Sequence, residues 1–158
     1  MKVRHMASVW IHNDDSILLL LRRGSRVIED SYVGIGGHLE PDEFADPRRG
    51  AIRELTEEVG LTEDDLVDLH LRYVAMRDTG NELRIVYYFS TRLRDTTPPP
   101  TACTEGELHW FEYSTSFETL PMPVTARLAL MGWLDGGPEF DRIHFISVDR
   151  DGATAVHI

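Results

Sequence analysis

Three glutamates, Glu54, Glu57 and Glu58, stand three and four residues apart inside Gly36–Leu61, a stretch that reads GGHLEPDEFADPRRGAIRELTEEVGL. On a helix of about 3.6 residues per turn they share one arc, while Ala51, Ile52, Leu55 and Val59 share another. The wheel predicts an apolar arc packed on a sheet and, facing away from it, an acidic arc that presents three carboxylates to one point. Left alone, that arc is unfavourable. Like charges at these spacings cost roughly 0.2–0.5 kcal/mol per pair, and acids late in a helix oppose its dipole. A hard divalent cation, Mg²⁺ above all, takes oxygen ligands and bridges them to phosphates. A solvated acidic surface without metal is the other reading of the same residues. Arg53 is placed to pair with Glu57 one turn on, or to reach back to Glu43 in the preceding loop and orient the site. The pair Gly36–Gly37 lets backbone approach a metal or phosphate closely.

The formal net charge of -11 points the same way. An acidic surface repels a nucleic-acid polymer, which needs a basic footprint. It also repels free nucleotides, so a polyphosphate binds only through a cation held between the two. The 158 residues suffice for one domain with its own core, and a 42% hydrophobic composition fits a globular chain. The single cysteine, Cys103, excludes a disulfide framework, and no histidine stands at a motif spacing to activate its thiol. The longest apolar run, Ile17 to Leu21, is far too short to span a bilayer. The N-terminal MKVRHMASVW lacks the apolar core of a signal peptide. These features predict a cytoplasmic protein without membrane partners.

The elements that must position the acids follow from pattern. Ala7–Asn13 and Ile17–Arg22 read as a hairpin, the second strand apolar at consecutive positions and therefore covered on both faces. Short strands are expected at Ser31–Ile35 and His38–Leu39, around the glycines. Asp46 suits an N-cap and Pro47 the first helical position, with Gly60 closing the helix after Val59. Leu66–Met76 and Leu83–Leu93 form a second hairpin about Asp78–Asn81. Leu108–Glu112 is a short strand, Val124–Leu134 a second helix, and Phe140–Val148 with Ala153–Ile158 a closing hairpin. The sum is a mixed α/β sandwich.

The stretch Gly36–Leu61 resembles the Nudix box, G-x5-E-x7-R-E-U-x-E-E-x-G-U with U a bulky apolar residue. Gly37 and Glu43 match its first part, and Arg53, Glu54, Leu55, Glu57, Glu58, Gly60 and Leu61 match its second. One departure stands out: nine residues, Phe44 to Ile52, separate Glu43 from Arg53 where the pattern has seven. They enter beside Pro47, where a longer loop need not rotate the helix. The element order and length are similar to MutT-like, 8-oxo-dGTP-diphosphatase-like members.

The resemblance implies a Nudix α/β/α sandwich with a mixed sheet over residues 1–158, and hydrolysis of a nucleoside diphosphate linked to another group. It implies Mg²⁺ (or Mn²⁺) held by Glu54, Glu57, Glu58 and the Gly37 carbonyl. One of the three carboxylates would activate water, and Arg53 and Glu43 would orient the helix. It also implies a further ligand or base before a tryptophan-containing strand. Glu105 is the better match and Glu107 the alternative. Leu120–Arg127 corresponds to the segment that contacts the base.

Substrate contacts are expected from Arg22, Arg23 and Arg26 on phosphates, and from His38 beside the box. Trp110 is a candidate for stacking a base, as are Trp10, Tyr32, Phe111 and Trp133, most of which are expected in the core. The leading substrate is a nucleoside triphosphate, ordinary or with an oxidised purine, cleaved to a monophosphate and pyrophosphate. ADP-ribose or a nucleotide sugar is second, and a non-catalytic nucleotide-sensing module third. A homodimer through the hairpins is compatible with the pattern.

Overall fold

The computed structural model describes residues 1–24, 29–136 and 142–157. Alternating apolar residues build two cores on the two faces of one mixed sheet. Along strand β1 (Lys2–His12), Val9 and Ile11 face one core while Trp10 faces the other, and β2 (Ser16–Arg22) alternates likewise through Ile17, Leu18 and Leu19. The run of apolar residues in β2 is therefore buried on both faces, as its composition predicts.

The hairpin turn is held by the Asn13 side chain, whose Oδ1 accepts from the backbone N–H groups of Asp15 and Ser16 at 2.9 and 2.8 Å. Next come β3 (Ser31–Val33) and β4 (Ile35–His38). The glycine pair therefore lies within a strand, where sequence reading put the strands on either side of it. Helix α1 (Pro47–Val59) follows and ends at Gly60 in the left-handed conformation, φ 75°. Asp46 occupies the N-cap position, but its side chain makes no capping hydrogen bond.

The long hairpin of β5 (Leu66–Asp78) and β6 (Glu82–Leu93) carries two register shifts near Asp68 and Arg72. β7 (Gly106–Glu112), α2 (Val124–Gly136), β8 (His144–Val148) and β9 (Thr154–His157) complete the order. The strands run β3-β2-β1-β6-β5-β8-β9, with β7 paired to β2 and β4 to β1. β1 lies parallel to β6 and β5 parallel to β8. One edge of β1 forks: residues Met6 to Val9 pair with β4, and Ile11 and His12 pair with β2. Helix α1 packs on β4 and β1, and α2 packs on β5 and β8. Ala51 and Leu55 seal the core on one face of the sheet; Ala129, Leu130 and Trp133 seal the other. This is the α/β/α arrangement the sequence predicts.

His12 ends β1 inside the second of these cores, 6% exposed, with its ring edge-on to Trp133 at 4.9 Å. Burial, reinforced by the Arg92 and Arg72 charges, pushes its pKa from 6.5 down to about 4. The unfolded chain therefore takes up a proton that the folded one refuses. The stabilisation is fully present above pH 6.5 and is lost as pH falls toward 4, by about 3 kcal/mol in all. Urea unfolding at pH 7.5 and pH 4.5 checks this: His12→Gln is expected to lose less stability between the two than the parent. Equal losses would remove His12 as the cause.

Candidate active site

The buried arc of α1 differs from the wheel reading. It comprises Gly50, Ala51, Glu54, Leu55 and Glu58, while Ile52 and Val59 are only half-buried. Two of the three glutamates thus lie among the packed residues, each 8% exposed. The reason is what they pack against. A Cβ on Gly37 would meet the Glu54 carboxylate at 2.9–3.0 Å, so the bare strand β4 leaves room for an acid where an apolar side chain would otherwise sit. Glu57 differs: its side chain is 58% exposed and one oxygen is held by Arg53. The three carboxylates differ in burial, and one Arg53 nitrogen bridges Glu54 and Glu57. Glu54 and Glu58 face inward and Glu57 stands at the rim.

Arg53 is the hub of the site. Its Nε donates to Glu43 Oε1 at 2.6 Å and one terminal nitrogen donates to Glu43 Oε2 at 3.1 Å. The same nitrogen donates to the His38 carbonyl at 3.0 Å, and the other reaches Glu54 at 3.1 Å and Glu57 at 3.0 Å. Both alternatives read from the sequence, Glu57 and Glu43, are realised together. Glu43 closes a 3-10 turn (Pro41–Glu43), accepts the Glu40 N–H at 3.0 Å, and is 3% exposed. Gly50 makes this possible, since a Cβ there would meet Glu43 Oε2 at 2.5 Å. Arg53 holds the Glu43 carboxyl below the usual carboxylate range. Between the 3-10 turn and α1, Phe44 stacks on His5 at 4.2 Å. The contact between box residues Glu43 and Arg53 is intact.

Glu58 sits deeper. Burial pushes its pKa up to about 7, the Glu54 charge adds to this, Arg22 opposes it and Glu105 adds a further upward push. The loop before β7 is fastened to the helix end: the Thr104 N–H donates to the Glu58 carbonyl at 3.2 Å, and Cys103 Sγ lies 3.7 Å from Glu58 Oε2. This loop brings Glu105 within electrostatic reach of Glu58. Glu107 points elsewhere, paired with Arg23 at 3.0 Å and near His109 at 3.4 Å. If Glu105 serves the metal, Glu105→Gln lowers kcat/KM by about 10–100-fold and Glu107→Gln changes it little. The reverse order in a steady-state assay would move the role to Glu107.

The sequence-predicted substrate contacts divide. Arg22, at the end of β2, lines a cavity of about 340 Å³ together with Gly36 and Gly37, and its buried Nε has no hydrogen-bond partner among the described residues. Arg23 is instead paired with Asp30 and Glu107 on the surface, so neither side of its fork is open to a phosphate. Arg26 lies outside the described residues. His38 is exposed at the end of β4, and its backbone carbonyl is engaged by Arg53. Trp110 does not line the cavity: it alternates with Phe111 on β7, so Phe111 turns to the core while Trp110 stays 38% exposed on the other side. Trp10 and Trp133 are core, each 1% exposed. Of Leu120–Arg127, Pro123, Thr125 and Ala126 reach the cavity. Arg127 is occupied with the carbonyls of Phe117, Glu118 and Leu120.

Arg77 and Arg84 also line the cavity and were not singled out from the sequence. Their only sequence signal is strand parity: Arg84 alternates with Val86 and Tyr88, which share the cavity wall.

Among the described residues, Glu40, Asp42 and Glu43 bring ligand atoms within 4.8 Å of one another. Both oxygens of Glu43 are already bonded there, to Arg53 and to the Glu40 N–H, so that cluster is a structural turn. The donors that fit a hard cation are elsewhere. Glu54 and Glu58 are two buried, mutually repelling carboxylates beside a glycine strand, and all-oxygen sets of this kind suit Mg²⁺.

The NUDIX domain family matches residues 2–128. The chain therefore belongs to the Nudix family. Solved structures share the fold. The MutT protein of Bacillus halodurans is 20% identical, with 97% of each chain covered and a TM-score of 0.66. That of Methanosarcina mazei Go1 is 20% identical over 87% of this chain and 96% of its own, with a TM-score of 0.67. An ADP-ribose pyrophosphatase from Streptococcus suis is 16% identical over 90% and 96%, with a TM-score of 0.54. No curated relative matches the chain by sequence. Among the described residues no helix is long and apolar enough to cross a membrane.

Proposed function

We propose that the chain hydrolyses a nucleoside triphosphate, ordinary or oxidised in its purine, to a monophosphate and pyrophosphate with Mg²⁺. The observation that carries this reading is the pair of buried carboxylates, Glu54 and Glu58, the first set against Gly37, which itself lines the cavity. Glu54, Glu58 and the Gly37 carbonyl would hold the cation, with Glu57 and Glu105 at its margin. When bound, it neutralises charge on the leaving phosphate and lowers the pKa of water.

The protein's own part is positional. Arg53 fixes Glu54 and Glu57 and ties them to Glu43 and the β4 backbone. One of the carboxylates Glu54, Glu57 and Glu58 would accept the proton from attacking water. Arg22 offers its guanidinium to a phosphate from the cavity wall. The carboxylates that a non-catalytic sensing module would dispense with are all present, which favours an enzyme. A cytoplasmic location is part of this reading, and both a monomer and a homodimer accommodate it.

A product assay decides the substrate. Ordinary and oxidised nucleoside triphosphates, ADP-ribose, dinucleoside polyphosphates and nucleotide sugars are compared with Mg²⁺ and with Mn²⁺. Pyrophosphate release from a triphosphate supports the reading. Turnover confined to ADP-ribose or nucleotide sugars replaces it.

A further inference from the structure

The far wall of the cavity carries charge that the reaction at Glu54 and Glu58 does not use. Arg4 on β1 pairs in register with Arg84 on β6, and Arg84 pairs with Arg77 on β5. The three arginines thus form one transverse row on adjacent strands. Parity puts them on the α2 side of the sheet, since they alternate with Met6, Val86 and Ala75 and then with Ser8, Tyr88 and Tyr73. Arg77 and Arg84 line the cavity itself.

One carboxylate serves the row. Glu82 accepts from Arg4 Nε at 2.5 Å and from Arg84 Nε at 2.6 Å. Among the described residues, no carboxylate pairs with Arg77. A chain of net charge -11 thus sets three guanidinium groups in one row, two of them on the cavity wall, against one acid among the described residues.

The row is separate from the metal-side donors. Gly37 lies on β4, which pairs with β1, so two strand spacings separate it from Arg84 and three from Arg77. The row is also offset from Gly37 by three residues along the strands, from Ala7 to Arg4. At about 4.8 Å between strands and about 3.3 Å per residue, the Cα atoms of Gly37 and Arg84 are on the order of 14 Å apart. A diphosphate anchored beside Gly37 leaves room for a sugar before the arginines are reached.

Guanidinium groups offer donors only, and their planar fork matches a pair of anionic oxygens. The geometry points to an anion subsite at Arg77 and Arg84 that holds a phosphate of the substrate beyond the diphosphate that is cleaved. This rests on the hydrolase reading above and narrows its substrate class to nucleotides carrying such a group. Two sources share the chemistry: a phosphate on the sugar, and the terminal phosphate of a triphosphate.

Binding tests the subsite without turnover. Adenosine 5′-monophosphate and adenosine 3′,5′-bisphosphate contain no anhydride bond, so calorimetry with the whole protein and Mg²⁺ reads affinity alone. The bisphosphate is expected to bind at least tenfold more tightly, with the ratio collapsing toward one in Arg77→Gln and remaining partly in Arg77→Lys. For the other source, kcat/KM for ATP over ADP is compared in the parent and in Arg77→Gln. A ratio that falls tenfold in the variant assigns the subsite to the terminal phosphate. If neither ratio depends on Arg77, the subsite does not exist. A uniform loss for every ligand overturns it too, because that is the mark of a contact to the base. If no nucleotide is hydrolysed while the bisphosphate ratio still depends on Arg77, the hydrolase reading fails and the subsite stands.

Discussion

Glu58→Gln is expected to lower kcat/KM by about 10³-fold, the order set by several kcal/mol of lost charge stabilisation at a metal-assisted centre, and at the same time to make the metal-free protein more stable. The two effects have one origin. Glu58 is buried beside Glu54, and its pKa in the fold is about 7 against an ordinary 4.5. A raised carboxylate pKa means that the folded state holds a proton the unfolded chain has already released. Stability from this source is therefore present below pH 4.5 and is lost as pH rises toward 7. Glutamine keeps the shape without the charge. Above pH 7 the variant should gain on the order of 2–3 kcal/mol over the parent in the absence of divalent cation. Adding Mg²⁺ should reverse the order, raising the parent's melting temperature and leaving the variant's nearly fixed. Thermal unfolding with EDTA and with Mg²⁺, beside a kinetic assay, checks both halves. A variant that is less stable in EDTA at pH 8, or as active as the parent, contradicts the assignment.

Arg53→Met carries the second large effect, in the opposite direction. Arg53 is the bidentate partner of Glu43, whose side chain is only 4% exposed, and it also binds Glu54 and Glu57. Removing it leaves a buried carboxylate uncompensated, which costs about 3–5 kcal/mol. Activity should fall about 10–100-fold or more, because the glutamates lose the group that orients them. Arg53→Lys should recover only part of either, since a point charge cannot serve both oxygens of Glu43. The double variant Glu43→Gln/Arg53→Met separates the roles: it should regain most of the stability and little of the activity. Chemical denaturation and kinetics on the four proteins suffice. Recovery of activity along with stability would reduce Arg53 to a scaffold.

Element types were legible in the sequence because period and punctuation agreed: Pro47 and Gly60 bracket α1, and the consecutive apolar residues of β2 announced a strand covered twice. The box residues were legible through a spaced pattern, and Glu43 and Arg53 meet despite the longer loop. What a wheel could not show is what lies opposite each residue. Glu54 looks like a surface residue until Gly37 is seen to leave it room. Arg22 and Arg23 are neighbours of the same type, yet Arg22 ends the strand on the cavity wall while Arg23, just past it, makes surface ion pairs. Phe111 turns to the core and Trp110 away from it by strand alternation. The cavity arginines depend on register between β1, β5 and β6, which no local pattern encodes.

The fork in β1 has a bearing on how the molecule assembles. Strand β4 is four residues long and half glycine, so its side chains specify its pairing with β1 only weakly, and a slip by one residue would present a different carbonyl to the acids. Two clamps from outside the ladder hold it: the Leu39 N–H donates to the His5 carbonyl at 2.8 Å, and Arg53 donates to the His38 carbonyl at 3.0 Å. The second clamp exists only once α1 has docked. The long β1–β6 and β5–β6 ladders can form without it, whereas the alignment of Gly37 with Glu54 must wait for the helix. The arginine that orients the acids thus also couples the docking of α1 to the register of β4.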